Sequence, residues 1–248
     1  MGIQDAGSHR YGEERARRYD AESVYDKGDR QQQFRMLVDL LRYVAKPGLQ
    51  FCDLGCGTGF FTSAFLDLRD DTRVLAVDAS AEMLDVAKAR LARYGGRVVF
   101  RCSRFEDLPW GDMAQSYDVV FSSLALHHLA DAQKWRIFGE IHAVLRPGGC
   151  FVLFDLVRCA AARDTELLEY LACRDIQRRL MEYLQLDWEP DELAIERVIE
   201  NDRRMRACEG DDEAVFADIL DALRAAGFAA VVQIFQQARI AGFYCAKT

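Results

Sequence analysis

The sequence predicts one large α/β domain built around a mostly parallel β-sheet. From Leu49 onwards, short runs of β-branched and aromatic residues alternate with segments of helical periodicity, which is typical of βαβ units. The chain has 248 residues, of which 50% are hydrophobic, so it can bury one substantial core or one core with a small cap. A glycine-rich turn, FCDLGCGTGFF at 51–61, directly follows the first run and indicates a ligand site where a strand enters a helix.

Seven strands are predicted, each from a short apolar run bounded by polar or turn residues. In chain order the runs are LQFCDL, RVLAVD, RVVFRC, YDVVFSS, CFVLFDLV, AAVVQIF and RIAGFYCA. The helix after the second strand has Ser80 as its predicted N-cap, and it places Met83, Leu84, Ala87 and Leu91 on one apolar face.

A later amphipathic helix is predicted to begin at an Asp131 cap and to end at LRPGG. Trp135, Phe138 and His142 recur at helical spacing on its apolar face. His142 is therefore predicted to be a packed, hydrogen-bonded residue and not a ligand or a base.

Two segments interrupt the βαβ pattern and are predicted to be helical, the first at 11–44 and the second at 159–209. In open parallel sheets, ligands lie beyond the carboxyl ends of the strands, where loops and insertions gather. Both segments are therefore predicted to lie on the substrate side. The expected organisation is a single domain with an N-terminal helical lid at 1–46, a ligand-binding core at 47–157, a helical insertion at 158–210, and a last helix with the final strand pair at 211–248.

Charge and cysteine content argue against several classes of function. The formal net charge of −8 disfavours an extended nucleic-acid surface, which needs many lysine and arginine contacts. The eight cysteines form no C-x-x-C pair or metal-ligand spacing, so buried free thiols are expected and no metal site is predicted. No apolar run approaches the roughly 18 residues of a membrane span, and the amino terminus lacks an apolar signal region. A soluble, cytoplasmic protein is expected.

The glycine turn suits a cationic nucleoside better than a dinucleotide. Gly55, Gly57 and Gly59 have the spacing G-x-G-x-G, whereas dinucleotide sites usually have G-x-G-x-x-G. Asp53 stands two residues upstream, and a carboxylate there favours a positively charged group. Asp78, at the end of the second strand, stands at about the distance at which an acid accepts hydrogen bonds from ribose hydroxyls. The predicted ligand is a nucleoside that carries an ammonium group.

Over about residues 49–157 the sequence resembles the class I S-adenosylmethionine-dependent methyltransferases. The resemblance is carried, in order and with family-like spacing, by DLGCGTGFF, VLAVDASAEML, FEDLPW, YDVVFSSLALHHL and LRPGGCFVLFDL. It implies a Rossmann-like seven-stranded sheet whose last strand is antiparallel, which fits the closely spaced AAVVQIF and RIAGFYCA. It also implies S-adenosyl-L-methionine as the cofactor and an in-line methyl transfer that leaves S-adenosylhomocysteine.

The resemblance assigns cofactor contacts to particular positions. They are Asp53, Gly55, Gly57, Gly59, Asp78, Ala79, Met83, Arg104, Phe105 and Ser122. Asp53 would lie near the amino group of the methionine portion, and Asp78 would bind both ribose hydroxyls. Arg104 departs from the family, because many relatives have an aspartate there and arginine offers no acceptor to the adenine amino group.

Candidate substrate-side residues come from three further parts of the chain. His127 and His128 follow the fourth strand, where the resembling fold places the methyl group, and either could act as a general base or contact the acceptor. His128 is slightly preferred, and fixing the loop is the alternative role for both. Tyr19 and Tyr25 are candidate lid residues. Arg204 is a candidate by loose similarity to the carboxy-S-adenosylmethionine synthases, which hold an extra carboxylate with an arginine in the late insertion.

A small-molecule acceptor is predicted, bound by a monomer or a homodimer, because the chain is not basic overall. An aromatic acceptor pocket could draw on Trp110, Trp188, Tyr170 and Tyr183, although core packing explains such residues equally well. Two alternatives stay open, namely carboxy-S-adenosylmethionine synthase-like chemistry and a non-catalytic partner module that binds S-adenosylmethionine. A nicotinamide-dependent oxidoreductase is disfavoured by Asp53 and the glycine spacing.

Overall fold

The computed structural model describes Ala16, Tyr19, Asp20, residues 30–185 and residues 192–248. Within these residues a single β-sheet has helices on both faces, so the predicted α/β class is confirmed. Its strands are β1 (Gln50–Leu54), β2 (Arg73–Asp78), β3 (Val98–Cys102), β4 (Tyr117–Ser123), β5 (Leu145–Arg158), β6 (Ala214–Val215), β7 (Ala230–Gln237) and β8 (Ile240–Ala246). The α-helices are α1 (Arg30–Val44), α2 (Phe60–Leu68), α3 (Ala81–Leu91), α4 (Asp131–Val144), α5 (Ala162–Leu184), α6 (Glu192–Glu209) and α7 (Phe216–Ala225).

The strand order is β3-β2-β1-β4-β5-β8-β7, with β6 paired to β5 outside this path. The pairs from β3 to β5 are parallel, whereas β8 runs antiparallel to both β5 and β7. The seven predicted strands and the reversed last strand are therefore confirmed. The two-residue strand β6 was not predicted, because it is too short to show a periodicity.

The register brings the carboxyl ends of the central strands to one edge of the sheet. Leu54 of β1 lies opposite Val77 of β2 on one side and Ser122 of β4 on the other. The glycine turn, Asp78 and the loop that contains the two histidines follow these three strand ends directly. A parallel sheet thus positions the predicted cofactor and substrate residues next to one another.

The core lies in two layers, one on each face of the sheet. On one face, α1, α2 and α3 cover a cluster that includes the buried rings of Phe51, Phe65, Phe121 and Phe154. On the other, α4 and α7 cover a cluster that includes Phe138, Phe151 and Phe243. Each fully buried side chain of this size contributes roughly 1.5–3 kcal/mol relative to exposure, and the rigid sheet that results supports the loops at its edge.

Of the two predicted helix N-caps, the structure confirms one and contradicts the other. Ser80 caps α3 as predicted, since its Oγ accepts a hydrogen bond from the Met83 N–H at 3.1 Å. The predicted Asp131 cap was wrong, because Asp131 is the first helical residue and Ala130 is the N-cap. There the Gln133 side chain accepts from the Ala130 N–H at 3.0 Å, and Ala130 has no side-chain oxygen to cap the first turn.

His142 packs as predicted on the apolar side of α4. Its ring meets Phe228 edge-on, with 5.1 Å between the ring centroids. Partial burial lowers its pKa, Lys247 acts in the same direction, and a hydrogen bond with the Gly227 backbone opposes them. A neutral, packed histidine results.

The segment 159–209 is helical as predicted, and it forms α5 and α6 between β5 and β6. Glu169 of α5 joins the two helices by accepting hydrogen bonds from Arg203 Nε at 3.0 Å and contacting Arg206. In the N-terminal region, the described residues comprise α1 and three helical residues, Ala16, Tyr19 and Asp20. Tyr25 and Trp188 lie outside the described residues. Among the helices that the structure describes, none has the length and apolar character needed to cross a membrane.

Candidate active site

The glycine turn is held against the end of β2 by backbone hydrogen bonds. The Gly55 and Cys56 N–H groups both donate to the Val77 carbonyl at 2.9 Å. All three glycines have positive φ, between 53° and 77°, which is the left-handed region that favours glycine. A Cβ on Gly55 would lie 2.3 Å from the Ala125 Cβ, whereas a Cβ on Gly57 would meet no atom of the described residues within 4 Å. Among those residues Gly57 therefore leaves space for a ligand to approach its backbone.

Asp78 is oriented by the turn and keeps acceptor capacity. Its Oδ2 accepts from the Gly57 N–H at 2.8 Å, and its Oδ1 accepts from the Ser80 N–H at 2.9 Å. Burial raises its pKa, and these backbone hydrogen bonds oppose the rise. Each carboxylate oxygen can accept a second hydrogen bond, so the group fits a ligand with two adjacent hydroxyls.

Asp53 is buried beneath the turn and is engaged by α2. Its Oδ2 accepts a hydrogen bond from the Thr62 hydroxyl at 2.5 Å. Burial raises the pKa of Asp53 to about 7, although the Thr62 hydrogen bond acts in the opposite direction. The carboxyl group thus ties the turn to α2, and a cation nearby would favour its ionised form.

The N-terminal residues reach the glycine turn through Asp20, which sequence reasoning missed. Asp20 Oδ1 accepts from the Thr58 hydroxyl at 2.8 Å and from Arg30 Nη1 at 3.3 Å, and the Asp20 carboxylate also contacts Arg90. The Arg30 guanidinium lies 4.3 Å from the Phe60 ring centroid and 5.7 Å from that of Tyr19. Tyr19 is accordingly placed at the edge of the turn, beside the start of α2.

The other predicted cofactor residues divide between exposed and buried positions. Ala79 and Arg104 are exposed, and Phe105 is half-buried, with its ring 3.5 Å from where a Cβ of Gly55 would be. Met83 is buried in the core. Ser122 is also buried, and its hydroxyl donates to the Leu54 carbonyl at 2.8 Å, so its side chain joins β4 to β1.

Cys52 and Cys56 are buried free thiols, as predicted, whereas the same prediction was wrong for Cys102 and Cys208, which are exposed. Burial raises the pKa of Cys52 and that of Cys56 well above the ordinary value. Both therefore stay protonated and act as packing residues at neutral pH.

A second cluster of polar side chains lies in the short helical turn after β4. His127 Nδ1 lies 2.5 Å from Asp155 Oδ1, and His127 Nε2 lies 3.7 Å from Asp211 Oδ1. His128 Nδ1 lies 3.1 Å from the same Asp211 oxygen. The side chains of His127, Asp155 and Asp211 are 4–5% exposed, against 20% for His128. The structure thus brings the two predicted histidines together with two aspartates.

Three elements position this histidine–aspartate cluster. Asp155 lies on β5, and Asp211 lies in the loop after α6, whose next N–H, that of Asp212, donates to the His127 carbonyl at 2.7 Å. Lys134 of α4 contacts both Asp131 and the Asp212 carbonyl. Asp155 had a readable signal, because it interrupts the apolar run CFVLFDLV. Asp211 had none, since its approach to the histidines depends on how the insertion folds back.

The glycine turn and the histidine–aspartate cluster are neighbours. Ala125, whose Cβ limits the space at Gly55, lies two residues before His127. Between β4 and these residues Leu124 has a φ of 50°, a strained conformation for leucine of the kind that gathers at functional sites. Its N–H donates to the Phe154 carbonyl at 2.8 Å, which fixes the loop to β5.

Arg204 is placed apart from these groups. Its side chain is exposed on α6, where Nη2 donates to Asn201 Oδ1 at 2.8 Å. Among the aromatic candidates, Tyr170 and Tyr183 are exposed on α5, and Trp110 is buried with its Nε1 donating to the Phe105 carbonyl at 2.8 Å.

Comparisons with known proteins agree with this geometry. Residues 51–149 match the family model described as a methyltransferase domain. An uncharacterized methyltransferase of Synechocystis sp. is 36% identical over 45% of this chain and 49% of its own length. The carboxy-S-adenosyl-L-methionine synthase of Campylobacter lari is 24% identical over 51% of this chain and 52% of its own length. The chain thus spans about half the length of these curated relatives.

The fold also matches solved structures. Phosphoethanolamine N-methyltransferase 2 of Haemonchus contortus, in complex with S-adenosyl-L-methionine, superposes with a TM-score of 0.66 and 16% identity, over 99% of this chain and 60% of that one. At this identity the match shows a shared fold.

Proposed function

We propose that the protein transfers a methyl group from S-adenosylmethionine to a small-molecule acceptor, since residues 51–149 match a methyltransferase domain. The observation that carries the proposal is the direct contact between the glycine turn and the loop of His127 and His128, at Gly55 and Ala125. A donor bound at the turn would have its acceptor at the histidine–aspartate cluster. The net charge of −8 supports a small acceptor over a nucleic acid.

The residues of the turn would hold the donor. Gly57 leaves its backbone open, and Asp78 presents two oriented carboxylate oxygens for the ribose hydroxyls. Asp53 would stabilise the ammonium group through its charge. When bound, S-adenosylmethionine supplies a methyl group that its sulfonium has already activated, so the chain contributes mainly by holding donor and acceptor in line and excluding water.

His128 is the proposed contact to the acceptor and, where the acceptor carries a proton on the attacking atom, the proposed base. It is the more exposed of the two histidines. Burial lowers its pKa, so the imidazole is neutral at pH 7 and can accept a proton. His127 would set the position of the turn through Asp155.

Native mass spectrometry of the purified full chain identifies the donor first. Bound S-adenosylmethionine or S-adenosylhomocysteine supports the proposal, and a ligand heavier by one carboxylate would point to carboxy-S-adenosylmethionine chemistry. The position of Arg204, whose bond to Asn201 keeps it within α6, does not favour that second reading. Failure to bind either ligand, together with binding of a dinucleotide, would overturn the proposal.

Acceptors are then screened as hydroxyl-, amine- and thiol-bearing metabolites, with S-adenosylhomocysteine release as the readout. On any acceptor found, His128→Ala should lower turnover more than tenfold, on the usual range for a general base, with the affinity for S-adenosylmethionine nearly unchanged. His142→Ala is the matched control and should leave both unchanged. Equal losses of turnover and affinity in His128→Ala would make His128 a structural residue.

A further inference from the structure

We infer that His127, His128 and Asp211 form a binding site for a divalent transition-metal ion beside the glycine turn. Ion binding itself does not depend on methyl transfer. The ion's role in the reaction rests on the proposed function and changes one part of it, because a His128 bound to the ion through Nδ1 could not also be the base, and the ion would act on the acceptor instead.

The three ligand atoms lie close enough together that small side-chain rotations would bring them around one ion. His128 Nδ1 and His127 Nε2 are 3.1 and 3.7 Å from Asp211 Oδ1, and all three atoms lie within 4.8 Å of one another. Two ligands bound at about 2.0–2.2 Å from one ion are separated by roughly 3.0–3.5 Å. His128 Nδ1 and Asp211 Oδ1 are already within this range, and His127 Nε2 is 0.2 Å beyond it.

The donor set is one that transition metals use. Two imidazole nitrogens and one carboxylate oxygen, with further positions open, are typical of catalytic zinc and of non-haem iron sites. His128 forms the exposed side of the cluster, whereas His127 and Asp211 are buried. Any open coordination position would therefore lie on the His128 side, towards solvent and an acceptor.

Asp155 orients His127 as an outer-shell carboxylate orients a metal-bound histidine. Its Oδ1 lies 2.5 Å from His127 Nδ1 and also accepts from the Leu156 N–H at 2.9 Å. A proton on Nδ1 leaves the lone pair of Nε2 directed towards Asp211. No metal site was predicted from the sequence, because the cysteines have no metal-ligand spacing. The ligands of this site come from separate elements of the fold.

Charge favours the same assignment. The buried carboxylates of Asp155 and Asp211 lie on opposite sides of the His127 ring, one near each ring nitrogen. With neutral imidazoles the cluster carries two negative charges in a poorly solvated place, and a divalent cation offsets both. Protonation of His127 on both nitrogens is the competing arrangement, and it needs no ion.

The site is held before any ion binds. The Asp212 N–H donates to the His127 carbonyl at 2.7 Å, and Lys134 contacts the Asp212 carbonyl, so the loop of Asp211 is fixed to the turn of the histidines. Rigid support of this kind is what a metal site requires. A bound ion lowers the pKa of a water or hydroxyl attached to it, which favours acceptors with an ionisable oxygen or sulfur.

The test is a titration of Co²⁺ and Zn²⁺ into the metal-free full chain, without cofactor or acceptor. Exposed Cys102 and Cys208 are replaced by serine in every sample, because thiolates bind both ions. One ion per chain is expected, with visible Co²⁺ absorption from nitrogen and oxygen ligands. Asp211→Asn should abolish this binding, and Asp155→Asn should weaken it about 10- to 100-fold. His142→Gln is the control and should bind as the parent does.

Circular dichroism and thermal unfolding of the metal-free variants show whether each is folded, and His128→Gln provides a further ligand change if Asp211→Asn is not. Absence of stoichiometric binding in the parent, or equal affinities in the parent and in folded Asp211→Asn and Asp155→Asn, would overturn the inference in favour of the doubly protonated His127. Metal binding without S-adenosylmethionine binding would overturn the proposed function alone.

Discussion

Gly55 and Gly57 have similar backbone conformations and different surroundings, with φ values of 77° and 53°. Alanine at either position adopts an unfavourable left-handed conformation, at a cost of roughly 1–2 kcal/mol. At Gly55 the new Cβ would also collide with Ala125, and at Gly57 it would touch nothing in the described part of the chain. Alanine variants at the two positions therefore distinguish an effect on the stability of the turn from an effect on ligand binding.

Gly55→Ala should lower the free energy of unfolding by about 2–5 kcal/mol, since overpacking adds roughly 1–3 kcal/mol to the backbone strain. Gly57→Ala should cost only the strain and should weaken S-adenosylmethionine binding, because its methyl group occupies the ligand's space. Urea unfolding and calorimetric titration measure the two effects. If Gly57→Ala were as unstable as Gly55→Ala and bound the cofactor normally, Gly57 would not face the ligand.

Asp53 should make stability depend on pH in the direction opposite to most aspartates. Its pKa rises from 3.8 to about 7 on folding, so between these values the folded state binds the proton more tightly. Its stabilising contribution is complete below about pH 4 and is lost as the pH rises towards 7, at up to about 1.4 kcal/mol per pH unit. Urea unfolding across this range should show the free energy of unfolding falling with pH in the parent and falling less steeply in Asp53→Asn.

Asp85→Asn is the control for this pH dependence, because Asp85 is an exposed carboxylate on α3. It should keep the parent slope. An unchanged slope in Asp53→Asn would mean that Asp53 is ionised in the folded protein at pH 5 to 6.

At the scale of elements, the helical insertion is fastened to the sheet by a buried charge network. Arg239, which precedes β8, is 5% exposed and bonds to Glu213 at 2.8 Å and to Asp202 at 3.0 Å. Arg206 contacts the same two carboxylates and Glu169. The loop that carries Asp211 lies between α6 and Glu213, so this network also sets the position of the histidine–aspartate cluster.

Arg239→Gln should lower the free energy of unfolding by about 3 kcal/mol, because among the described side chains it leaves Arg206 alone to offset two carboxylates. Arg224→Gln on α7, which breaks an exposed ion pair with Asp221, should cost under about 1 kcal/mol. Urea unfolding followed by tryptophan fluorescence compares the two variants. Equal costs would show that the insertion does not depend on the network.

At the scale of the whole molecule, features set by local patterns were predictable from the sequence. Strands such as β2 and β4 appear as apolar runs, and the Ser80 cap follows from a residue type at a helix start. The glycine turn could be located because each of its features lies within a few residues. The Asp131 cap was wrong by one residue, because Asp131 is already helical and Ala130 is the N-cap.

Contacts between distant segments were not predictable. Asp20 reaches Thr58, and Asp155 and Asp211 reach the histidines, only through the assembled fold. None of these aspartates has a neighbour in sequence that marks its partner. The glycine turn and Asp78, on the cofactor side of the candidate site, were therefore predictable. On the acceptor side, the two histidines were predictable and the two aspartates were not.

We propose that the turn from Gly55 to Gly59, with Asp78, binds S-adenosylmethionine, and calorimetric titration of the full chain decides this claim. The parent should bind one S-adenosylmethionine, and Asp78→Ala should bind it roughly tenfold more weakly or worse, since it loses charge-assisted hydrogen bonds. Asp85→Ala, an exposed aspartate on α3, should bind as the parent does. Unchanged affinity in Asp78→Ala would remove Asp78 from the site and contradict the claim.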